Sequence, residues 1–428
     1  CFRAELTTLG GRPWKPGNVE AARAVAEALG LRVVEVRREP WEEYRRLNLE
    51  LVSVCGGVDD SCAPQIRVVD LKTRRSITKP PPPFTTASLQ QAASNALRFS
   101  ATRTMRVAQA LYEGVELAGE GSVGLITYMR TDSTNLAGEA VEAARAFIVG
   151  EYGEGYVPVR PNGFAKRAVR AQEAHEAIRP TDVRRTPASL RQMLTDDQYK
   201  VYELIWKRFV CCQMSPAEWD STVVTLECET GMGTARFVGT GRKLVFDGFM
   251  RVAGVSSEDQ LLPALQVSQG VGLLHVEPRQ QFTSPPPRFT EASLIKALEA
   301  EGIGRPSTYA AIIDTIQSRG YVEEVDRKFR PTALGELVTD KLVAHFPKIL
   351  DVKFTSHMED ELDKIEEAHL DWVEVLHEFY DPFRELLARA EDEMEAARSR
   401  PSDCSCPVCG LSLIHISEPT RLLSISYA

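Results

Sequence analysis

The chain has 428 residues, 43% apolar and 26% charged, a mix that fits a globular protein of several domains. No run of about 18 apolar residues exists, which excludes an ordinary membrane-spanning helix. The formal net charge of −9 argues, taken whole, against nucleic acid as a partner, but 16 acidic and 6 basic side chains lie between Asp351 and Arg400, so the remainder is close to neutral.

The chain opens on Cys1-Phe2-Arg3 without methionine or secretory leader, so a fragment of a longer protein is expected. Residues 1–79 mix short β-like runs (Leu31 to Val36, Ile66 to Leu71) with a helical stretch near Asn18–Leu29. A proline block, Pro80 to Pro83, ends this region, because proline continues neither a helix nor a central strand. Helical patterns follow at Ser88–Leu97, Ala101–Tyr112 and Gly138–Gly150. Residues 217–280 return to β-like runs with glycine turns, and a second block, Pro285 to Pro287, closes them. Residues 288–398 are mainly helical. A β region interrupted by helices and then resumed suggests one β domain with a helical domain inserted. The nine cysteines are mostly scattered singly, so buried thiols in a reducing compartment are expected.

The proline blocks expose an internal repeat. Residues 80–89 read PPPPFTTASL and residues 285–294 read PPPRFTEASL, identical at eight of ten positions. The second copy predicts a helix over Thr290–Ala300, a Gly-Ile-Gly turn, a helix over Pro306–Ser318 with proline in its first turn, a left-handed cap at Gly320 and a strand at Tyr321-Val322. The first copy predicts two helices, a glycine-rich insertion and then Gly124-Leu-Ile-Thr-Tyr-Met-Arg. Helix, turn, helix, strand is the outline of a winged helix-turn-helix, a nucleic-acid platform; a helical hairpin used only for packing is the plainer alternative.

Three clusters could carry chemistry. In Leu125–Ser133 a strand would put Ile126, Tyr128, Arg130 and Asp132 on one face. Tyrosine beside arginine suits attack on a phosphodiester, since arginine holds phosphate through forked hydrogen bonds and stabilises developing charge. An ordinary surface strand would show the same spacing. Gln172–Asp182 gathers His175, Glu173, Glu176 and Arg179 ahead of a proline turn. His175 could donate to a phosphate oxygen or assist proton transfer; the alternative is a solvated helix end. Gly302-Ile-Gly-Arg305-Pro-Ser307-Thr308 feeding a helix could cradle a phosphate backbone, or could be a plain turn. Near the end, Cys404-Ser-Cys406-Pro-Val-Cys409-Gly contains half of a zinc ribbon, but no cysteine follows Cys409.

Taken together, PPPPFTTASLQQAAS, LYEGVELAGEGSVGLITYMRTDSTNL, QEAHEAIRPTD, PPPRFTEASLIKALEAEGIGRPSTYAAIIDTIQSRGYV and CPVCG resemble the type IA DNA topoisomerases, in family order and over roughly residues 80–410. The wording is nearest the bacterial topoisomerase I branch, with topoisomerase III and reverse gyrase as runners-up. The resemblance implies a multidomain α+β toroid. Residues 1–85 and 215–283 would form a β-rich arch, 86–214 a helical domain bearing the tyrosine, 284–398 a helical DNA-binding domain, and 399–410 the start of a zinc ribbon. It implies Tyr128 as nucleophile, taking the 5′ phosphate of a cut single strand, with Arg130 on the scissile phosphate and His175 near the break. Arg305, Ser307, Thr308 and Arg319 match positions along the bound strand. The reaction would relax negatively supercoiled duplex without ATP.

The resemblance also implies Mg²⁺, held by a TOPRIM domain that precedes the stretch matched here, and Zn²⁺ in the full-length protein, with Cys406 and Cys409 as two ligands. Without TOPRIM the chain alone is expected to be inactive. A monomer in the bacterial nucleoid, with DNA and no membrane as partner, completes the expectation. Leu51–Val69 matches no part of the arch, and residues 411–428 resemble translated adapter sequence that would not pack. A non-catalytic module that binds single-stranded DNA is the competing expectation.

Overall fold

The computed structural model describes residues 1–41, 50–59, 61, 63–164, 176–254, 260–280, 282–283 and 285–394. They form a mixed α+β architecture that divides into two compact units. The first holds Cys1–Pro83 and the described parts of Ala137–Phe164 and Trp206–Pro287; the second holds Phe84–Leu136 and the described parts of Ala165–Ile205 and Arg288–Ala428.

The first unit is built on a six-stranded antiparallel sheet. Its order is Gly270–Val271, Ile66–Thr78, Ala217–Thr230, Gly233–Phe246, Glu5–Leu9, Arg12–Pro13. Ile66–Thr78 and Ala217–Thr230, far apart in sequence, pair along their whole length from Arg67↔Glu227 to Thr78↔Ala217. The helix Val19–Ala28, capped by the Asn18 side chain, lays Val25 against one face. There Leu29, Ile66, Val68, Val224, Leu226, Cys228 and Phe237 complete an apolar core. Alternation of buried and part-buried residues over Ala217–Asp220 and Val224–Cys228 is the period-2 pattern of a strand with one face in the core. No helix among the described residues is long and apolar enough to cross a membrane.

The second unit contains the repeat. Its copies open on the helices Thr86–Leu97 and Glu291–Glu301, each started by the same capping box. Thr85 and Thr290 accept from the amides of Ser88 and Ser293 at 3.2 Å, and those serines accept in return at 2.8 Å. Each copy continues into a second helix (Ala101–Glu113, Tyr309–Ser318) and a β-hairpin, Val115–Leu117 with Gly121–Val123 and Val322–Val325 with Lys328–Pro331. Ala87 and Ala101 of the first copy pack with Ile295, Tyr309, Ile313 and Phe329 of the second in one core. The Glu291 carboxylate accepts from the Ala101 amide at 2.6 Å, joining the start of one copy's second helix to the other copy's first.

Two local expectations change. Leu125–Ser133 is not a strand: only an isolated bridge, Ile126↔Pro180, punctuates an extended loop. Pro306 does not open a helix; Pro306–Thr308 forms a turn and the helix starts at Tyr309. Gly320 takes the expected left-handed conformation at φ 66°. Its amide donates to Gln317 O at 2.9 Å and that of Tyr321 to Ile316 O at 3.0 Å, a paired closure of the helix end that only a residue tolerating positive φ permits cheaply.

Candidate active site

Three segments distant in sequence meet in the second unit. The Thr127 amide donates to Arg179 O at 2.9 Å, and the Thr181 amide to Leu125 O at 3.0 Å. The Ile178 amide donates to Phe84 O at 2.8 Å, and the Thr86 amide to Thr131 O at 2.8 Å. Threonine hydroxyls lock the crossing points. Thr127 Oγ1 donates to Ala177 O at 2.8 Å and accepts from the Arg179 amide at 3.0 Å. Thr86 Oγ1 donates to Met129 O at 2.7 Å and accepts from the Thr131 amide at 2.9 Å. Phe84, Leu125, Ile126, Met129 and Ile178 are all buried beneath this layer. The loop around Tyr128 is therefore pinned on both sides of the tyrosine, at residues 127 and 129, although it belongs to no regular element.

Burial alternates along the pinned loop. Met129, Thr131 and Ser133 are buried, whereas Tyr128, Arg130 and Asp132 are exposed. Ile126 departs from the expected stripe: it is 1% exposed and faces the core. Tyr128 is 45% exposed, an unusual position for a large aromatic side chain on so rigid a support. Its ring meets Tyr112, at the end of the helix Ala101–Glu113, edge-on at 5.4 Å. Among the described residues the Arg130 guanidinium has no ion-pair or hydrogen-bond partner. An exposed phenol beside an uncommitted guanidinium is an arrangement that can receive a phosphodiester.

Gly124 lets the chain leaving the hairpin pass close against the end of the helix Ala101–Glu113. The Leu125 amide donates to Leu111 O at 2.8 Å, and a Cβ at Gly124 would lie 2.7 Å from Tyr112 O. Behind the loop, Arg179 makes a two-pronged pair with Glu176, at 2.6 and 2.9 Å, and donates to Pro180 O at 3.0 Å. The Arg179 side chain is only 14% exposed, so its role is to brace the layer. Among the described residues, Glu176–Thr181 contains no helix and makes isolated bridges at Ile178 and Pro180. His175 lies outside the described residues, as do Cys406, Cys409 and the segment 411–428.

The Gly302–Tyr309 turn is differently committed. Arg305 donates to Asp363 Oδ2 at 2.8 Å and Glu359 O at 3.0 Å, so helix Val352–Glu366 already engages it. The Arg305 amide donates to Thr308 Oγ1 at 2.8 Å, and that hydroxyl donates back to Arg305 O at 3.2 Å. Ser307 and Thr308 are exposed, and so is Arg319, at the cap of the helix Tyr309–Ser318. Tyr309 is buried, which pushes its phenol up to about 12; Glu299, Asp132 and Glu359 add to the rise and Arg305 opposes it. Sequence reasoning assigned nothing to Thr86, Thr127, Tyr112 or Gly124; the only signal was their position inside or beside the matching motifs.

No group of three or more His, Cys, Asp or Glu side chains that could hold a metal ion lies among the described residues. The donor set there does not fit Mg²⁺ or Zn²⁺.

The sequence profile of a DNA topoisomerase family matches residues 50–377. DNA topoisomerase 1 of Haemophilus influenzae is 45% identical over 355 residues, which is 81% of this chain and 39% of that protein. The structure of full-length topoisomerase I from Thermotoga maritima is similar with a TM-score of 0.69 and 36% identity, over 85% of this chain and 60% of that one. The chain thus spans about two fifths of the length of the curated relative it matches.

Proposed function

Since the chain belongs to the bacterial type IA DNA topoisomerase family, we propose that it carries the strand-cutting centre of an ATP-independent DNA isomerase, with Tyr128 as its nucleophile. The observation that carries this reading is the exposed Tyr128–Arg130 pair on a loop held at Thr127 and Met129 by threonine hydroxyls.

The Tyr128 phenolic oxygen attacks the phosphorus of a single-stranded DNA linkage. The bond from phosphorus to the 3′ oxygen breaks. The phenol gives up its proton and the leaving oxygen gains one, which yields a 5′-phosphotyrosine and a free 3′ hydroxyl. The ester conserves the energy of the broken linkage, so the reverse attack reseals the strand without a nucleotide. Arg130 stabilises the extra negative charge on the non-bridging oxygens. Exposure of the phenol allows in-line approach, and the hydrogen-bonded backbone on either side narrows the positions it can take up. Ser307, Thr308 and Arg319 contact the bound strand, and Arg305 holds the turn that presents them. His175 contacts DNA near the break. Passage of an intact strand before resealing relaxes negatively supercoiled duplex, in a monomer working in the nucleoid.

The test uses the full-length protein and a single-stranded oligonucleotide labelled at either end. The 3′-labelled strand is expected to run with the protein on a denaturing gel, while the 5′-labelled strand appears as a shortened free fragment. Tyr128→Phe should abolish both signals and keep binding. Binding by the wild-type protein with no adduct in either labelling scheme would favour a non-catalytic single-strand binding module.

A further inference from the structure

Seven polar side chains are classed as buried among the described residues, and six of them (Thr85, Thr86, Gln90, Thr104, Thr131, Ser133) lie within Phe84–Leu136, the stretch that carries the tyrosine loop. Five of the six are satisfied. Thr85 caps its helix, Thr86 holds Met129 and Thr131, and Thr104 Oγ1 donates to Ser100 O at 2.8 Å. Thr131 Oγ1 accepts from the Ser133 amide at 3.0 Å, and Ser133 Oγ from the Asn135 amide at 3.1 Å. Gln90 differs. It is 0% exposed, and neither its amide nitrogen nor its oxygen has a hydrogen-bond partner among the described residues. A buried amide with both ends unpaired opposes folding, so a residue of this kind calls for an explanation outside stability.

The internal repeat supplies the control. In the aligned copies Gln90 corresponds to Ile295, also 0% exposed and set in an apolar cluster. The fold therefore accommodates an aliphatic side chain at this helix position. Helix geometry says what Gln90 faces. It stands four residues after Thr86, on the same side of the helix Thr86–Leu97, and side chains on a helix lean toward its start. Gln90 thus shares the helix side on which the Thr86 hydroxyl grips Met129 O and the Thr131 amide.

We propose that Gln90 is a positioning residue for Tyr128, an inference that rests on the reading of Tyr128 as nucleophile. Its amide offers a donor and an acceptor to the backbone at 129–131 when that loop shifts to bring the phenol onto phosphorus. The spare pair is kept buried so that the loop can change partners without exposing them to water.

The test compares full-length wild-type protein with Gln90→Met, which keeps the shape without hydrogen bonding, Gln90→Ile, which copies the second repeat, and Gln90→Glu. Adduct formation on a 3′-labelled oligonucleotide, non-covalent affinity for the same oligonucleotide and the thermal midpoint are measured. Gln90→Met and Gln90→Ile should cut about tenfold or more slowly, with affinity within about twofold and a thermal midpoint equal to wild type or higher. Gln90→Glu should cut well while its buried carboxyl is protonated, and its rate relative to wild type should fall as rising pH ionises it. Wild-type cutting by Gln90→Met or Gln90→Ile would overturn the proposal. So would a loss matched by weaker binding or a lower thermal midpoint together with a flat relative pH profile for Gln90→Glu. A wild-type protein that forms no adduct would overturn the nucleophile reading itself, which separates the two failures.

Discussion

Thr86→Val isolates the contribution of one hydroxyl to the tyrosine loop. The substitution keeps the branched shape and deletes the oxygen. Thr86 Oγ1 donates to Met129 O at 2.7 Å, lies 3.1 Å from Thr131 O and accepts from the Thr131 amide at 2.9 Å. Thr131 O keeps the Thr86 amide at 2.8 Å, so two groups lose their partner: Met129 O and the Thr131 N–H. A buried group left unpaired costs about 1–3 kcal/mol, which puts the intact geometry about 2–6 kcal/mol higher. The loop has a cheaper exit, since it can detach and let water in. The global loss is therefore set near the lower figure, about 2 kcal/mol, while the local loss of order is large. Thermal denaturation reads the first, and amide exchange over 125–135 reads the second. Cleavage should slow by about 10- to 100-fold at similar single-strand affinity, as expected when a nucleophile is no longer held in place. Thr86→Ser restores the hydroxyl and should recover most of the rate. Thr86→Val with wild-type exchange protection and wild-type cleavage would refute the claim that this hydroxyl holds the nucleophile.

Two further outcomes follow from the same structure. Gly124→Ala places a Cβ 2.7 Å from the Tyr112 carbonyl oxygen, a backbone atom that cannot swing aside. The adjustment should cost about 1–3 kcal/mol and reduce adduct yield by displacing Tyr128, both measurable on the purified variant. Tyr309 gives a pH dependence. Burial holds its phenol near 12 in the folded chain, whereas an unfolded tyrosine ionises near 10. Its contribution to stability is complete below about pH 10 and is lost as pH rises toward the folded value, at up to about 1.4 kcal/mol per unit. The urea midpoint of Tyr309→Phe should therefore decline less steeply than wild type between about pH 10 and 12, and parallel curves would contradict the assignment.

Much of this architecture was legible as local pattern. Phe-Thr-x-Ala-Ser-Leu occurs twice, and both copies build the same capping box, because a hydroxyl three residues before a serine needs nothing but the helix start itself. Gly320 reads correctly for the same reason: positive φ is a property of one residue and its immediate turn. The tyrosine loop misleads a local reading. Its residues alternate in burial as a strand's do, yet Ile126 turns inward and no ladder forms, because its partners are hydroxyls and single bridges from segments far along the chain. Arg305 illustrates the converse. Its sequence context, glycines and hydroxyls ahead of a helix, suggests a guanidinium waiting for phosphate, but Asp363 and Glu359, more than fifty residues on, already engage it.

Sequence alone determined the family, the repeat, the Gly320 cap and the candidate chemistry of Tyr128 and Arg130. These depend on residue identity and on spacings of a few residues, which covalent geometry converts directly into local structure. Only the tertiary structure decided that Phe84–Thr86, Leu125–Thr131 and Ala177–Thr181 form one layer, that a side chain at Gly124 would crowd Tyr112 O and that Gln90 is buried without a partner among the described residues. Those facts arise from contacts between residues tens of positions apart. Their formation depends on the packing of the whole unit, and no short window of sequence contains both partners.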